Sequence, residues 1–156
     1  KYKILGAVKN KANLFICPKE NYDEAIRVKK NHNLDIKIIS GYRSYNTQVS
    51  TYNYWTSKYG KAEADKISAR PGHSEHQLGL AADINSLYTS FKDTKEGIWL
   101  NNNAYKYGFI KRYPDNKIEI TGVNNEPWHY RYVGVDAALE MQKKGLCLEE
   151  YIETLK

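Results

Sequence analysis

The chain has 156 residues, 41% of them hydrophobic and 27% charged, with a formal net charge of +6. That length fits one domain with a working core. The balance is that of an ordinary globular protein, and no apolar run approaches the length of a membrane-spanning helix. The positive charge favours anionic surroundings, whether nucleic acid, anionic lipid or the polyanions of a Gram-positive wall, and alone it does not choose among them.

The chain opens at Lys1 without a charged-then-apolar signal segment, so the expectation is a processed or truncated form whose targeting sequence is absent. Tyr22, Ala25, Ile26 and the Lys29 stem recur at helical spacing over 22–30, with Asn21 as N-cap and Asp23 and Glu24 in the first turn. His32, between Asn31 and Asn33, reads as a solvent-facing helix end. Asp35 to Ser40 alternates and then turns apolar, a strand that delivers Gly41, Tyr42 and Arg43 to its end. Asn46 to Tyr59 is helical, with Gly60 as its stop, and Tyr52, Trp55 and Tyr59 are expected in the core. A short helix over 63–67 follows, and Ala69-Arg70-Pro71-Gly72 breaks the pattern.

Leu80 to Ile84 reads as a buried strand with Ala81 and Asp83 on one face. Ile98 to Tyr107 is predicted helical, ending at Gly108, and Phe109 to Tyr113 a strand. Pro114 to Lys117 turns into Ile118-Glu119-Ile120, which alternates like a strand. Trp128 to Val133 is a further strand, with His129 and Arg131 on one face and Trp128 and Tyr130 on the other. Asp136 to Lys144 is an amphipathic helix closed by Gly145, followed by a short helical tail. Helices around a small, mainly antiparallel sheet make an α+β domain spanning 1–156, with no internal repeat and no low-complexity linker. Cys17 and Cys147 lack Cys-x-x-Cys spacing, and both a structural pair and two inert thiols stay open.

Two separated segments carry the chemistry: Ser74-Glu75-His76-Gln77-Leu78-Gly79-Leu80-Ala81-Ala82-Asp83, and Glu126-Pro127-Trp128-His129. Two imidazoles and a carboxylate make a three-ligand set for Zn²⁺ with a fourth position open to a water that the metal acidifies. Glu126 stands three residues before His129, within reach of that water as a general base or, in the blander alternative, as a hydrogen-bonding support for a ligand. His73 and His76 share helical spacing, but Pro71 and Gly72 argue against a helix there, which leaves His73 at the cleft rim.

Ser-x-His-x-x-Gly-x-Ala-x-Asp followed by Glu-x-x-His resembles the signature of the LAS metallopeptidases, a superfamily of lysostaphin-type enzymes, D-Ala-D-Ala peptidases and hedgehog signalling domains. Ser40-Gly41-Tyr42-Arg43-Ser44 with Gln48, Tyr107-Gly108-Phe109-Ile110, Arg112-Tyr113-Pro114 and Thr121-Gly122 extend the likeness over about residues 36–145, toward the VanY-type D-alanyl-D-alanine carboxypeptidases and related L,D-carboxypeptidases. The entry segment 11–18 matches only loosely. The resemblance implies one Zn²⁺ held by His76, Asp83 and His129, with Glu126 as general base and Arg43 holding substrate and steadying the oxyanion. It places Ser74 and Gln48 against the terminal D-amino acid.

The expected activity is removal of D-Ala from peptidoglycan stem peptides. The alternatives are an L,D-carboxypeptidase, a D,D-dipeptidase and a non-catalytic zinc-stabilised wall-binding module. Of the 14 Tyr and 3 Trp residues, most are expected to pack the core, with Tyr42, Tyr113 and Trp128 as candidate walls of the substrate groove. No aromatic platform with an RNA-binding signature is present, so nucleic acid is not an expected partner. The remaining expectations are an extracytoplasmic monomer associated with an anionic bacterial wall.

Overall fold

A computed structural model describes residues 33–156. The predicted helix over 22–30, the environment of His32, Cys17 and the entry segment 11–18 lie outside the described residues.

The sheet has four antiparallel strands: β1 (Ile38–Ser40), β2 (Ala81–Ile84), β3 (Phe109–Lys111) and β4 (His129–Tyr132), in the spatial order β1-β2-β4-β3. β2 and β4 are the central strands, and every residue of β2 is buried. Six helices flank the sheet among the described residues: α1 (Tyr45–Tyr59), α2 (Lys61–Ile67), α3 (Lys95–Asn103), α4 (Ile118–Thr121), α5 (Val135–Lys144) and α6 (Leu148–Glu153). Four single 3₁₀ turns, Glu75–Leu78, Thr89–Asp93, Ala104–Tyr107 and Asp115–Lys117, join them.

Local chemistry sets the boundaries. Ser44 starts α1 by accepting from the Thr47 N–H, and Gly60 ends it by donating to the Thr56 carbonyl. Thr94 does the same for α3, accepting from the Gly97 N–H at 3.0 Å, and so moves the helix start to Lys95, three residues before the expected Ile98. The helical run predicted to Tyr107 tightens into a 3₁₀ turn at Ala104 before Gly108 closes it.

Two groups of buried side chains hold the layers together. Ala82, Ile84 and Tyr130 on one face of the central strands meet Phe91 and Ala104, with Leu100, Phe109 and Trp128 packed around them. Ile110 meets Ala138 and Met141 of α5, and Leu148 and Tyr151 of α6 close over that group. The opposite face of β2 and β4 carries Ala81, Asp83, His129 and Arg131, as the alternation predicts. One face therefore builds the core and the other the site.

Two expectations are corrected. Ile118-Glu119-Ile120 is not a strand but the single turn α4, closed by the Gly122 N–H on the Ile118 carbonyl at 2.8 Å. Three alternating residues do not separate strand from helix, and both isoleucines are exposed and pair with no strand of the described sheet. The α1 aromatics are not core residues. Tyr59 is exposed, Tyr52 and Trp55 are half-buried, and Gln48 is the one buried residue of that helix. The rings pack on one another instead, Trp55 stacking on Tyr59 at 5.8 Å and meeting Tyr54 edge-on at 4.9 Å, with the Lys58 ammonium over all three.

At Gly97 a Cβ would fall 2.0 Å from the Phe91 carbonyl oxygen, where only backbone displacement can relieve the clash. Gly97→Ala is expected to destabilise by about 3 kcal/mol, the upper range for overpacking. At roughly 2–4 °C per kcal/mol for this size, thermal melting should show a midpoint lower by about 6–12 °C.

Candidate metal centre and active site

The site begins with the register of β2 and β4, in which Asp83 lies directly opposite His129. The Ile84 N–H donates to the Trp128 carbonyl and the Tyr132 N–H to the Leu80 carbonyl, so the bonded pairs alternate with Asp83–His129, which is a non-hydrogen-bonded pair. Such pairs bring side chains closest. The Asp83 Oδ1 is accordingly 3.0 Å from His129 Nδ1.

His76 arrives from the 3₁₀ turn Glu75–Leu78. Gly79 follows it with φ +69°, a conformation glycine adopts without a Cβ penalty, and turns the chain into β2. The His76 Nδ1–H donates to the Gly41 carbonyl at 2.7 Å, which leaves Nε2 as the free lone pair, 3.3 Å from Asp83 Oδ2. On His129 the nitrogens are used the other way round. Nε2 meets Glu75 Oε2 at 3.4 Å, and Nδ1 faces Asp83. Each imidazole thus has one nitrogen held by an acceptor and the other turned inward, the arrangement that fixes the tautomer of a metal-binding histidine.

The inward donor atoms of His76, Asp83 and His129 all lie within 4.8 Å of one another, and all three residues are buried. Tetrahedral zinc with bonds near 2.0–2.2 Å requires ligand atoms about 3.3–3.6 Å apart. The Asp83 carboxylate reaches both inward nitrogens through different oxygens, Oδ2 at 3.3 Å from His76 Nε2 and Oδ1 at 3.0 Å from His129 Nδ1, which places it between the two imidazoles. Two imidazole nitrogens and one carboxylate oxygen, with both outer nitrogens satisfied, fit Zn²⁺.

The electrostatics agree. Burial disfavours charge on Asp83, yet the facing imidazoles of His129 and His76 outweigh it and hold the carboxyl well below the usual range. Burial also opposes charge on His129, but Asp83 and Glu75 raise its proton affinity to a pKa of about 9. A field that holds a proton so firmly at this imidazole is one that attracts a cation.

Glu126 Oε2 lies 3.8 Å from His129 Nδ1, on the inward side. Burial first, with Asp83 and Glu75 adding repulsion against the pull of His129 and Arg43, lifts its pKa to about 7. The chain before β4 places it, because the Glu126 N–H donates to the Tyr113 carbonyl and the Glu126 carbonyl accepts from the His129 N–H.

Arg43 leaves the end of β1, its backbone N–H donating to the His76 carbonyl. Its guanidinium donates to Gln48 Oε1 at 2.9 Å and Ser40 Oγ at 3.0 Å, and lies 3.7 Å from Asp83 Oδ2. Gln48, fully buried, donates to the Ala69 carbonyl and Ser68 Oγ, so its whole amide is engaged within the protein and it acts on Arg43. Ser74 is buried one residue before the 3₁₀ turn that holds His76, and Tyr42 is exposed between Gly41 and Arg43. Trp128 packs into the core beside Tyr130, away from the face that carries His129. His73 is exposed in the preceding loop.

Sequence reasoning missed Glu75 and the arginines around it. Arg112 Nε donates to Glu75 Oε1 at 2.7 Å, and Arg131 Nη1 lies 3.6 Å from the same oxygen. Against the cost of burial, the hydrogen bond from His129 and the charge of Arg112 bring the Glu75 carboxyl down to a pKa of about 2. Adjacency to His76 was the available signal. The pairing with Arg112, 37 residues away, leaves no local trace.

The family model of VanY, described as D-alanyl-D-alanine carboxypeptidase, matches residues 18–135. The chain belongs to this family. It is 50% identical over 128 residues to a D-alanyl-D-alanine carboxypeptidase of Enterococcus faecalis, covering 76% of this chain and 48% of that protein. The chain spans about half the length of the curated relatives it matches. Among solved structures, the LdcB LD-carboxypeptidase superposes with a TM-score of 0.82 at 40% identity, covering 96% of this chain and 74% of that one. VanYB in complex with D-alanine-D-alanine gives 0.81 at 38%, covering 100% and 90%. A mutant of the vancomycin-resistance D,D-pentapeptidase VanY in complex with Zn(II) gives 0.78 at 37%, covering 97% and 89%. The fold is therefore of the LAS type, and a neighbour with this fold holds the ion that the donor set fits.

Ligand binding to the folded state alone stabilises by about 4 kcal/mol when free ligand exceeds Kd a thousandfold. Stripping zinc with a chelator is thus expected to lower the melting midpoint by roughly 8–16 °C. Asp83→Asn and His76→Ala should abolish that difference, with metal analysis of the dialysed variants showing far less than the wild type's about one ion per chain.

Proposed function

We propose that this protein is a zinc-dependent D,D-carboxypeptidase that removes the terminal D-Ala from peptidoglycan stem peptides. The observation that carries the reading is the position of Glu126: a carboxylate on the same side of His129 as the inward ligand atoms, with two arginine-anchored or metal-binding carboxylates already accounted for nearby. A site that only stabilised the fold needs neither this group nor Arg43.

His76 Nε2, Asp83 and His129 Nδ1 would hold the ion. Zn²⁺, when bound, supplies Lewis acidity that polarises a peptide carbonyl and makes a water easier to deprotonate near neutral pH. Glu126 removes the proton from the attacking water and returns it to the departing D-Ala amine, so one carboxylate serves as base and then acid. Burial raises its proton affinity toward that of such a shuttle. Arg43 is anchored by Gln48 and Ser40 before substrate arrives, and its remaining N–H groups are free to meet the negative charge that develops on the carbonyl oxygen. Ser74, buried beside the His76 turn, and the exposed Tyr42 flank this region and are the proposed contacts of the terminal residue.

Support for the D,D assignment comes from the family and from relatives that carry that name. A second reading, L,D-carboxypeptidase acting on tetrapeptide stems, is favoured by the likeness to the LdcB LD-carboxypeptidase. A wall substrate also supports an extracytoplasmic location at a bacterial wall, where the net positive charge suits the surrounding polyanions. No helix among the described residues is long and apolar enough to cross a membrane.

Mass spectrometry of matched pentapeptide and tetrapeptide stems, incubated with zinc-loaded protein, distinguishes these readings. Loss of D-Ala from the pentapeptide is the expected result, loss from the tetrapeptide alone moves the assignment to the L,D class, and cleavage of neither removes the enzymatic reading. Glu126→Gln is expected to keep zinc while turnover falls about 10²–10⁴-fold, the range for loss of a general base. Arg43→Lys loses the planar fork, and kcat should fall on the order of 10²-fold in steady-state assays.

A further inference from the structure

Behind His129, on the side away from the ligand atoms, buried and half-buried side chains form a continuous chain of ionic contacts reaching the C-terminal helix. His129 Nε2 meets Glu75 Oε2, and Glu75 Oε1 accepts from Arg112 Nε at 2.7 Å. The other edge of the Arg112 guanidinium donates twice to Glu149, Nη1 to Oε2 at 3.0 Å and Nη2 to Oε1 at 2.6 Å. Glu149 sits in the first turn of α6, where a helix N-terminus favours an acidic group. Arg112 is itself buried and lies over the Tyr113 ring at 4.7 Å, and the Tyr113 ring borders the His129 ring at 5.1 Å. The Arg112 N–H also donates to the His129 carbonyl, so backbone and side chain of this arginine both bear on one ligand.

We propose that Glu75 is a positioning residue for His129, fixing the tautomer that presents Nδ1 to the metal, and that Arg112 and Glu149 hold Glu75 in place, which makes α6 part of the metal centre. The inference rests on the zinc reading of the site. Its physical basis is geometric. An imidazole whose Nε2–H is engaged by a fixed carboxylate offers its lone pair at Nδ1 alone, and its ring is not free to turn. A carboxylate facing a histidine in a buried site drifts unless its second oxygen is anchored, and Arg112 supplies that anchor through a two-pronged grip on Glu149. Glu75 is not itself the base, because it stands behind the ring and is clamped by arginines, whereas Glu126 stands in front of it.

The test is zinc affinity, measured by competition with a chromophoric chelator on the purified chain, together with the melting midpoint of the metal-free protein. Loss of an outer hydrogen-bond partner weakens metal binding about 10–100-fold. Glu75→Ala is expected to fall in that range. Glu75→Gln, which keeps an acceptor oxygen but loses the anchoring charge, should fall between Glu75→Ala and wild type. Glu149→Gln, distant from every ligand, should weaken zinc by several-fold with the cobalt(II) absorption bands shifted. Glu63→Gln, which pairs with the exposed Lys66 on α2, should change neither quantity. Unchanged zinc affinity in Glu75→Gln would overturn the positioning role, whatever happens to the metal-free midpoint, and unchanged affinity in Glu149→Gln would overturn the part given to α6. A fall in midpoint without a fall in affinity marks a purely structural contact. Absence of zinc binding by the wild type defeats the metal reading itself and is distinct from both outcomes. Should Glu75→Ala not fold, Glu75→Gln and Glu149→Gln decide the question.

Discussion

The pairing of Asp83 with His129 across the two central strands is the constraint on which the rest depends. A buried carboxylate is costly to desolvate, and removing one partner of a buried ionic pair typically costs about 3–5 kcal/mol. The pair is therefore tolerable only because β2 and β4 are held in a register that keeps both groups opposed. A slip of one residue would carry Asp83 into the face occupied by Ala82, Ile84 and Tyr130 and bring apolar side chains to the site. The apolar packing of that inner face against Phe91 and Ala104 thus fixes the register, and the register fixes the metal geometry. Core and site are two faces of one decision about strand alignment.

Three carboxylates lie around one imidazole, and their environments separate their roles. Asp83 faces both imidazoles, which hold its carboxyl ionised and ready to act as a ligand. Glu75 is clamped by arginines and is a fixed anion behind the ring. Glu126 has neither a guanidinium nor a hydrogen-bonded cation of its own among the described contacts, so burial dominates and it alone holds a proton near neutrality. Chemically similar groups are thus given different proton affinities by what surrounds them, the separation that the proposed division into ligand, anchor and proton carrier requires.

The parts legible in the sequence were those with distinctive local chemistry. His76, Asp83, Glu126 and His129 stand in an order and spacing that few other constraints produce, and the alternation over 128–133 already assigned His129 and Arg131 to one face. The strands at 81–84 and 129–132 and the helix at 135–144 follow from apolar periodicity with glycine stops. What was not legible depends on tertiary neighbours. Ile118 and Ile120 alternate, but both stay exposed outside the described sheet, and one helical turn closes instead. Tyr52, Trp55 and Tyr59 have helical spacing, yet Trp55 and Tyr59 stack on each other along α1 and the Tyr52 hydroxyl donates to Asp65, in place of burial. Glu75 acquires its partners from residues 37 and 54 positions away, a distance at which no local pattern operates.

Preorganisation explains why a glutamine is buried in the first turn of α1. Gln48 is the one buried residue of that helix, and an uncharged amide is costly to bury unless every hydrogen-bonding position is satisfied. Its nitrogen is fixed by the Ala69 carbonyl and Ser68, which leaves its oxygen aimed at Arg43 Nη1. A leucine there would pack as well but give the guanidinium no reference point. A glutamate would accept the same bond but pair with Arg43 as a full charge, and so compete with the developing oxyanion for the arginine's field. A neutral acceptor orients the guanidinium while leaving its positive charge available, which is the condition for a charged donor to act in the transition state rather than in the resting enzyme. The helix that looked like core in the sequence is thereby the mount for the arginine beside the Asp83 carboxylate.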